Sequence, residues 1–388
     1  MTSGMRGWVL GWILGLGALS ADASAPVDPT EPVHRVMGTS TARPSQSEMP
    51  LPLRPRLVWQ TRVEGSVQHA PAVDSRGAVV VASSESLSEL GPSGRVTWTL
   101  RLGARATSAP VLLSDDTRVV VTADGQLVGA GRSGRLAWVR RIPCPVNVST
   151  TVVLPWSDGG LVLAAADHVF WMDGGGGWRS SALVSSQVTA VLRRGPAPVV
   201  VLLTGEVFAW DGIAAPRRLG SLGGRGNQGA VLIGEHLLAA VVDDKRLVEI
   251  DLVTGAHRVR VPEGALSYQS RVGVTAQGET RLVSADGLLF GHDAHGRETL
   301  RVALGRAGPD RDAGAPSPTK PTSTLLLVDR RGFLAYARSG QQPAVLGADK
   351  EVFALAAPAC EDPVGLVSAG PARLAGACRS GVVWLAAD

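Results

Sequence analysis

The chain has 388 residues, of which 47 are Gly and 25 Pro; 45% are hydrophobic, 19% charged and 4% aromatic. That apolar content with so little charge excludes a disordered chain, and the shortage of charged helix formers excludes a bundle of long helices. The net charge of +4 contains no run of five basic residues, so no nucleic-acid groove or polybasic membrane patch is expected.

At the N-terminus, Arg6 precedes an apolar stretch from Gly7 to Leu19 and then Ala21-Asp22-Ala23-Ser24-Ala25. This is the order of a secretory signal peptide, assigned to residues 1–25, with cleavage after Ala23 or Ala25. The apolar stretch is short for a membrane span; an uncleaved anchor is the alternative. No Cys lies in residues 15–30, so a lipid-modified N-terminal cysteine is not expected. Residues 26–56 carry Pro26, Pro29, Pro32, Pro44, Pro50, Pro52 and Pro55 with no periodicity, and are expected to be an extended linker.

From Leu57 onwards one unit recurs. A clear copy runs Ser108-Ala109-Pro110-Val111-Leu112-Leu113, then Arg118 to Thr122, then a turn at Ala123-Asp124-Gly125 into Gln126 to Ala130, then Arg132-Ser133-Gly134 into Trp138. Short apolar runs between turn residues predict strands. Asp124-Gly125 predicts a type I′ hairpin, because both residues tolerate positive φ; Gly287 occupies the same place in a later unit. The third strand is followed through Leu87, Leu127, Val169, Val207, Leu247, Leu288, Leu334 and Val383, in steps of 38–42 residues and then 46 and 49. The segment Arg306–Ser323, polar and rich in Pro, is expected to replace the first strand of its unit, and further residues around Phe353 to Asp362 extend the last unit.

A period near 40 with four short strands predicts an all-β propeller over residues 57–388. Eight blades fit the period, with seven as the alternative. The segment Leu57–Val63 reads as a fourth strand and the chain ends on a third strand, Val382–Ala386, so the N-terminal strand is expected to complete the last blade and close the ring.

Three turns place a Trp four residues after a Gly: Gly94 and Trp98, Gly134 and Trp138, Gly174 and Trp178; Trp59 holds the corresponding place in the first strand. These residues, with Gly125 and Gly287, are expected to be structural, the Trp rings packing on the adjoining blade. With Leu90 to Trp98 and Ile250-Asp251-Leu252-Val253-Thr254-Gly255, the pattern resembles the tryptophan-docking repeat of the PQQ-repeat (quinoprotein-type) propellers, with Val259, Leu300 and Ala344 in place of Trp in later units. The resemblance implies eight blades and one of two functions, a PQQ-dependent dehydrogenase or a non-catalytic scaffold of the BamB kind.

The chemical inventory favours the scaffold. Many dehydrogenases of the resembled family carry adjacent cysteines, a Ca²⁺ site of Glu, Asn and Asp, and a catalytic Asp, whereas here no adjacent cysteines occur and Asn appears as Asn147 and Asn227 alone, neither with Glu or Asp at a recognisable spacing. No Gly-x-Ser-x-Gly elbow or phosphate-binding loop is present. His292-Asp293-Ala294-His295 reads as exposed turn residues rather than a metal site. No catalytic, cofactor or metal residue is assigned. Cys360 and Cys378 are the candidate disulfide pair, with three free thiols as the open alternative and Cys144 unpaired either way. The expected product is an exported, soluble, monomeric ring that binds a protein partner and no nucleic acid, with the Arg306–Ser323 loop as the chosen binding element and a tolerated disordered insertion as the alternative reading of that loop; a periplasmic sugar or peptide sensor and a small PQQ enzyme are the alternatives for the function.

Overall fold

The Val-rich runs become strands because both of their faces are covered. Val119 and Val121 point into a core with Val111, Leu127, Leu161 and Leu163, whereas Val120, between them, points the other way into a core with Val80, Leu87 and Val128. Side chains alternate along a strand, so a strand sandwiched between two neighbours reads as continuously apolar.

The computed structural model describes residues 46–47, 49–144, 151–226, 230–262, 272–284, 287–304, 324–329, 331–338, 340–347, 351–355, 360 and 362–388. These residues belong to one unit, residues 34–388. Every regular element among them is a strand, arranged as eight sheets, seven of four antiparallel strands and one in which four antiparallel strands carry a fifth. Each sheet is one blade of an eight-bladed β-propeller, so the alternative of seven is overturned. In chain order the blades occupy residues 72–101, 111–141, 152–183, 188–221, 230–261, 273–303, 324–354 and 363–387, and are numbered 1 to 8 below. The hydrophobic clusters lie between successive blades rather than within them. An isolated blade therefore exposes both its apolar faces to water.

Arg56–Arg62 supplies the outermost strand of blade 8, pairing antiparallel with Val382–Ala387 through Leu57↔Ala386 and Trp59↔Leu385. The pairing continues where the Val63 N–H donates to Gly381 O at 2.9 Å. The ends of the ring are thus joined by a hydrogen-bonded ladder, which leaves no open edge at the closure. Because successive strands reverse direction, the first-to-second and third-to-fourth turns share one end of the ring, here the turn end. The second-to-third turns and the links between blades share the other, the crossover end.

Five expectations are corrected. Leu334 lies in the second strand of blade 7, not the third: Thr324–Asp329 is the inner strand, packed between the inner strands of blades 6 and 8, and Asp329 opens the first-to-second turn with its N–H donating to Phe333 O at 2.9 Å. The third strand is Ala344–Leu346, so its centre, Val345, falls 57 residues after Leu288 and 38 before Val383. All the extra length lies in the link between blades 6 and 7, and that blade keeps its own first strand. Arg306–Ser323 itself lies outside the described residues. The residues around Phe353 are not an extension of the last unit, because Val352–Ala354 is the outer strand of blade 7.

The turn at Asp124-Gly125 is not type I′. Only Gly125 has positive φ, at 79°, and its N–H donates to Thr122 O at 3.0 Å while the Thr122 N–H donates to Gln126 O at 2.8 Å, a type I turn closed by a glycine bulge. Two adjacent residues with positive φ occur instead at Asp243-Asp244.

The end of the expected 26–56 linker is docked on the ring. Gln46–Ser47 adds a fifth, parallel strand to the inner edge of blade 7, pairing with Val328 and Asp329. Leu51 is fully buried, its N–H donates to the Asp329 carboxylate at 2.9 Å, and its carbonyl accepts from Arg331 at 2.7 Å. Residues 1–45, which hold the expected signal peptide, lie outside the described residues.

Candidate functional site

What distinguishes one blade junction from another is the row of side chains crossing the strands near the turn end. In blade 2 this row is Val119, Gly129 and Trp138, cross-strand neighbours on one face. The Trp138 ring lies back over Gly129, where a Cβ would collide with it, and meets Gly176 of blade 3. A Cβ on Gly176 would stand 2.9 Å from Trp138 Cδ2, and Gly176 has φ 81°, so the turn needs glycine for backbone and for space.

The same lock recurs. Trp59 meets Gly94, with its Nε1–H donating to Pro92 O at 2.9 Å, and Trp98 meets Gly134, where a Cβ would lie 2.6 Å from the ring. Trp178 does not form the lock expected of it. In its turn, Asp173 to Gly177, the residue with positive φ is Gly176, and Trp178 pairs with Met172, two residues short of the docking position, which Ser180 occupies opposite Trp171. Four consecutive glycines allow the sequence spacing to be met by the wrong one. Trp171, on the third strand, fills the junction against Gly212 of blade 4, and Trp178 packs on Phe170 with ring centroids 5.3 Å apart.

The next junctions close without Trp. Gly220 comes against Gly255, and the Arg260 backbone comes against Gly296. Between blades 6 and 7 the row is Arg281, Gly291 and Leu300. The Arg281 guanidinium lies over Gly291, and beyond Leu300 a cleft of about 130 Å³ remains, bounded by Leu300, Arg281 and Glu279 of blade 6 and Arg331, Leu334 and Leu346 of blade 7. Arg281 is held by Glu279 at 2.6 Å, and Arg331 by Asp329 at 3.0 Å. The substitution of Leu300 for Trp was visible in the sequence, but the cleft behind it was not.

Buried charges tie other junctions. Arg118, fully buried in blade 2, donates to Glu89 of blade 1 at 2.6 and 3.0 Å. Arg260 pairs with buried Glu249 and donates to the Asp293 and Gly278 carbonyls of blade 6, each at 2.8 Å. No spacing rule in the sequence brings such residues together.

At the crossover end, Cys360 and Cys378 are joined by a disulfide with Cα atoms 5.7 Å apart, and Cys144 is free, its thiol pKa raised by burial and by Asp167. Gly125 and Gly287 stand in second-to-third turns with φ 79° and 84°. His69 precedes the inner strand of blade 1; burial lowers its pKa to about 4, against the hydrogen bond to Ala106, and its Nε2 has no partner. His292 is buried rather than exposed, because it ends the strand Leu288–His292 and stacks on Phe290. Asp293 caps the turn by accepting from the His295 and Arg297 N–H groups, and no metal-holding cluster occurs among the described residues.

At the turn end, Ile213 and Val253 occupy corresponding third-to-fourth turns of neighbouring blades 4 and 5, 93% and 67% exposed. Asp211 and Asp251 fix these turns by accepting two backbone N–H groups each.

A family model described as outer membrane protein assembly factor BamB matches residues 54–304, nearly two-thirds of the chain. No curated protein matches the sequence. Among solved structures, BamB from Moraxella catarrhalis is similar at 17% identity and a TM-score of 0.65, over 86% of this chain and 99% of that one. The computationally designed Ika8 protein is similar at 15% identity and TM-score 0.62, over 84% and 98%. A streptogramin B lyase is similar at 12% identity and TM-score 0.52, over 72% and 93%. At these identities the likeness is one of fold.

Proposed function

This chain belongs to the PQQ-repeat β-propeller family described as outer membrane protein assembly factor BamB, and on that premise we propose that it is an exported, non-catalytic propeller that binds a protein partner in the cell envelope. The observation that carries this reading is the extent of the family match, which runs from the ring-closing strand to the end of blade 6. A role in outer-membrane protein assembly is part of the proposal, and that description supports it. The signal-like residues 1–25 support export, and the ring is proposed to act as a soluble monomer once they are removed. The exposed apolar tips Ile213 and Val253 are the proposed first contacts, because paired apolar side chains on rigid turns are cheap to order and costly to leave in water.

Photo-crosslinking residues placed at 213 and 253 in cells test the reading. The expected result is a discrete adduct with one envelope protein, absent when the crosslinker stands on the far side at 183. Turnover of an alcohol or sugar by the purified chain with added PQQ and Ca²⁺ would overturn the non-catalytic assignment.

A further inference from the structure

The segment ahead of the ring-closing strand is seated on the junction of blades 7 and 8 as a bound peptide would be. Leu51 is fully buried in one cluster with Leu327, Ala335 and Val345 of blade 7 and Leu374 and Trp384 of blade 8. Room for it exists because blade 7 docks no indole there. Its cross-strand row is Ala335, Val345 and Phe353, so a valine stands where blade 2 has Gly129, and a ring could not lie back over it. The backbone of Leu51 is read as well as its side chain. Its N–H donates to Oδ2 of the buried Asp329 at 2.9 Å, and its carbonyl accepts from Arg331 Nη2 at 2.7 Å. The Arg331 guanidinium is itself fixed by Asp329 at 3.0 and 3.1 Å. On the blade 8 side, the Ala372 N–H donates to the Pro50 carbonyl at 2.9 Å.

The resident segment shows what chemistry the site takes. Pro50 and Pro52 flank Leu51, and proline has no N–H, so this stretch brings one donor, which the site meets with one carboxylate oxygen. Pro52 is buried, and another residue in its place would take a second N–H out of water. Prolines also hold a peptide extended before it binds, so less entropy is lost on docking. Met49 and Leu53 stay 42% and 43% exposed, so the anchor is the leucine between the prolines. The segment is also separable from the ring. It pairs with blade 7 through Gln46 and Ser47 alone, at the inner edge, and the four antiparallel strands of that blade pair with one another without it. A stretch held by so few hydrogen bonds opens at a fraction of the free energy of global unfolding. We infer that the junction of blades 7 and 8 is a peptide-recognition site for an extended segment carrying a leucine between prolines. Residues 49–53 hold it closed in the free ring, and a partner's segment of the same chemistry enters in their place. The inference rests on the scaffold reading and names the chemistry by which the partner is recognised.

The test exchanges the resident segment for a synthetic peptide of residues 47–54 with blocked ends. In the full chain, Leu51→Asp sets a second carboxylate against Asp329 and empties the site; Leu51→Ser is the milder emptied variant. Either should melt in a single transition and bind the fluorescently labelled peptide with a dissociation constant of about 10–100 µM. The unsubstituted chain should bind it at least about ten-fold more weakly, because apparent affinity falls with the fraction of sites that stand open. At saturation, the Leu51 methyl signals of the unsubstituted chain should move to their unfolded-chain positions. The peptide bearing Leu51→Asp should not bind, and Arg331→Ala in an emptied chain should weaken binding about ten-fold. Absence of binding to a folded emptied variant overturns the inference, as does undiminished binding of the substituted peptide or equal affinity of the unsubstituted chain. Loss of folding in both emptied variants overturns it too, since the segment would then be part of the ring and not its ligand. An envelope adduct at 213 or 253 without peptide binding would sink the site and leave the scaffold reading standing; peptide binding without any adduct would do the reverse.

Discussion

Trp98 and Trp178 share a spacing after glycine in the sequence, yet their surroundings differ. Trp98 is wedged between its own blade and Gly134, whereas Trp178 lies on the outer strand against Phe170. Trp98→Ala opens a cavity at a junction and should cost about 3–5 kcal/mol in urea denaturation. Trp178→Ala should cost no more than about 2 kcal/mol; equal losses would contradict the assignment of Trp171 to that junction. His69 carries a pH dependence. It titrates near 6.5 when unfolded and near 4 in the ring, so the folded protein binds fewer protons between those values. Stability is therefore complete above about pH 6.5 and falls as the pH drops towards 4, by on the order of 3 kcal/mol. His69→Asn should lose this part of the dependence, read as the difference between the two proteins' urea midpoints at pH 7 and pH 4.5; identical slopes would show that His69 is not desolvated. The glycines of the Trp locks were legible because a tight turn and a nearby ring leave no room for a Cβ. The pairing of Arg118 with Glu89 was not, since a buried charge is placed by its partner and not by a local pattern.

Among the elements, the strand Arg56–Arg62 has the largest leverage. It forms the outer edge of blade 8 and sends Trp59 into blade 1, so it belongs to the ladder of one blade and to the core of the next junction. Deleting residues 57–63 should lower the melting temperature of the whole ring in one cooperative transition, measured together by circular dichroism and tryptophan fluorescence. An unchanged melting temperature would refute closure by this strand. That strand was legible because its Trp sits where other fourth strands carry theirs. The parallel strand Gln46–Ser47 and the docked Leu51 were not, because two residues carry no periodicity and their partners, Val328 and Asp329, lie some 280 residues away in the chain. The second-strand place of Leu334 was misread for a similar reason: apolar runs in a blade look alike, and hydrogen bonding at the Asp329 turn identifies which is which.

For the whole molecule, the repeat is a local property and could be read directly. Each unit must supply its own turns and its own apolar strands, so a period near 40, the all-β class, eight blades and the closure by the N-terminal strand are written along the chain. The junctions are not local. Each is filled by side chains from two units, and whether a Trp, a glycine backbone or an arginine closes it depends on what the neighbouring blade offers. The sequence by itself determined the ring; only the tertiary structure decided that the blade 6–7 junction keeps a cleft, that Trp171 and not Trp178 locks blade 3 to blade 4, and that Leu51 is held by Asp329. The physical reason is that a strand's pattern records how many of its faces are buried, but not what covers them.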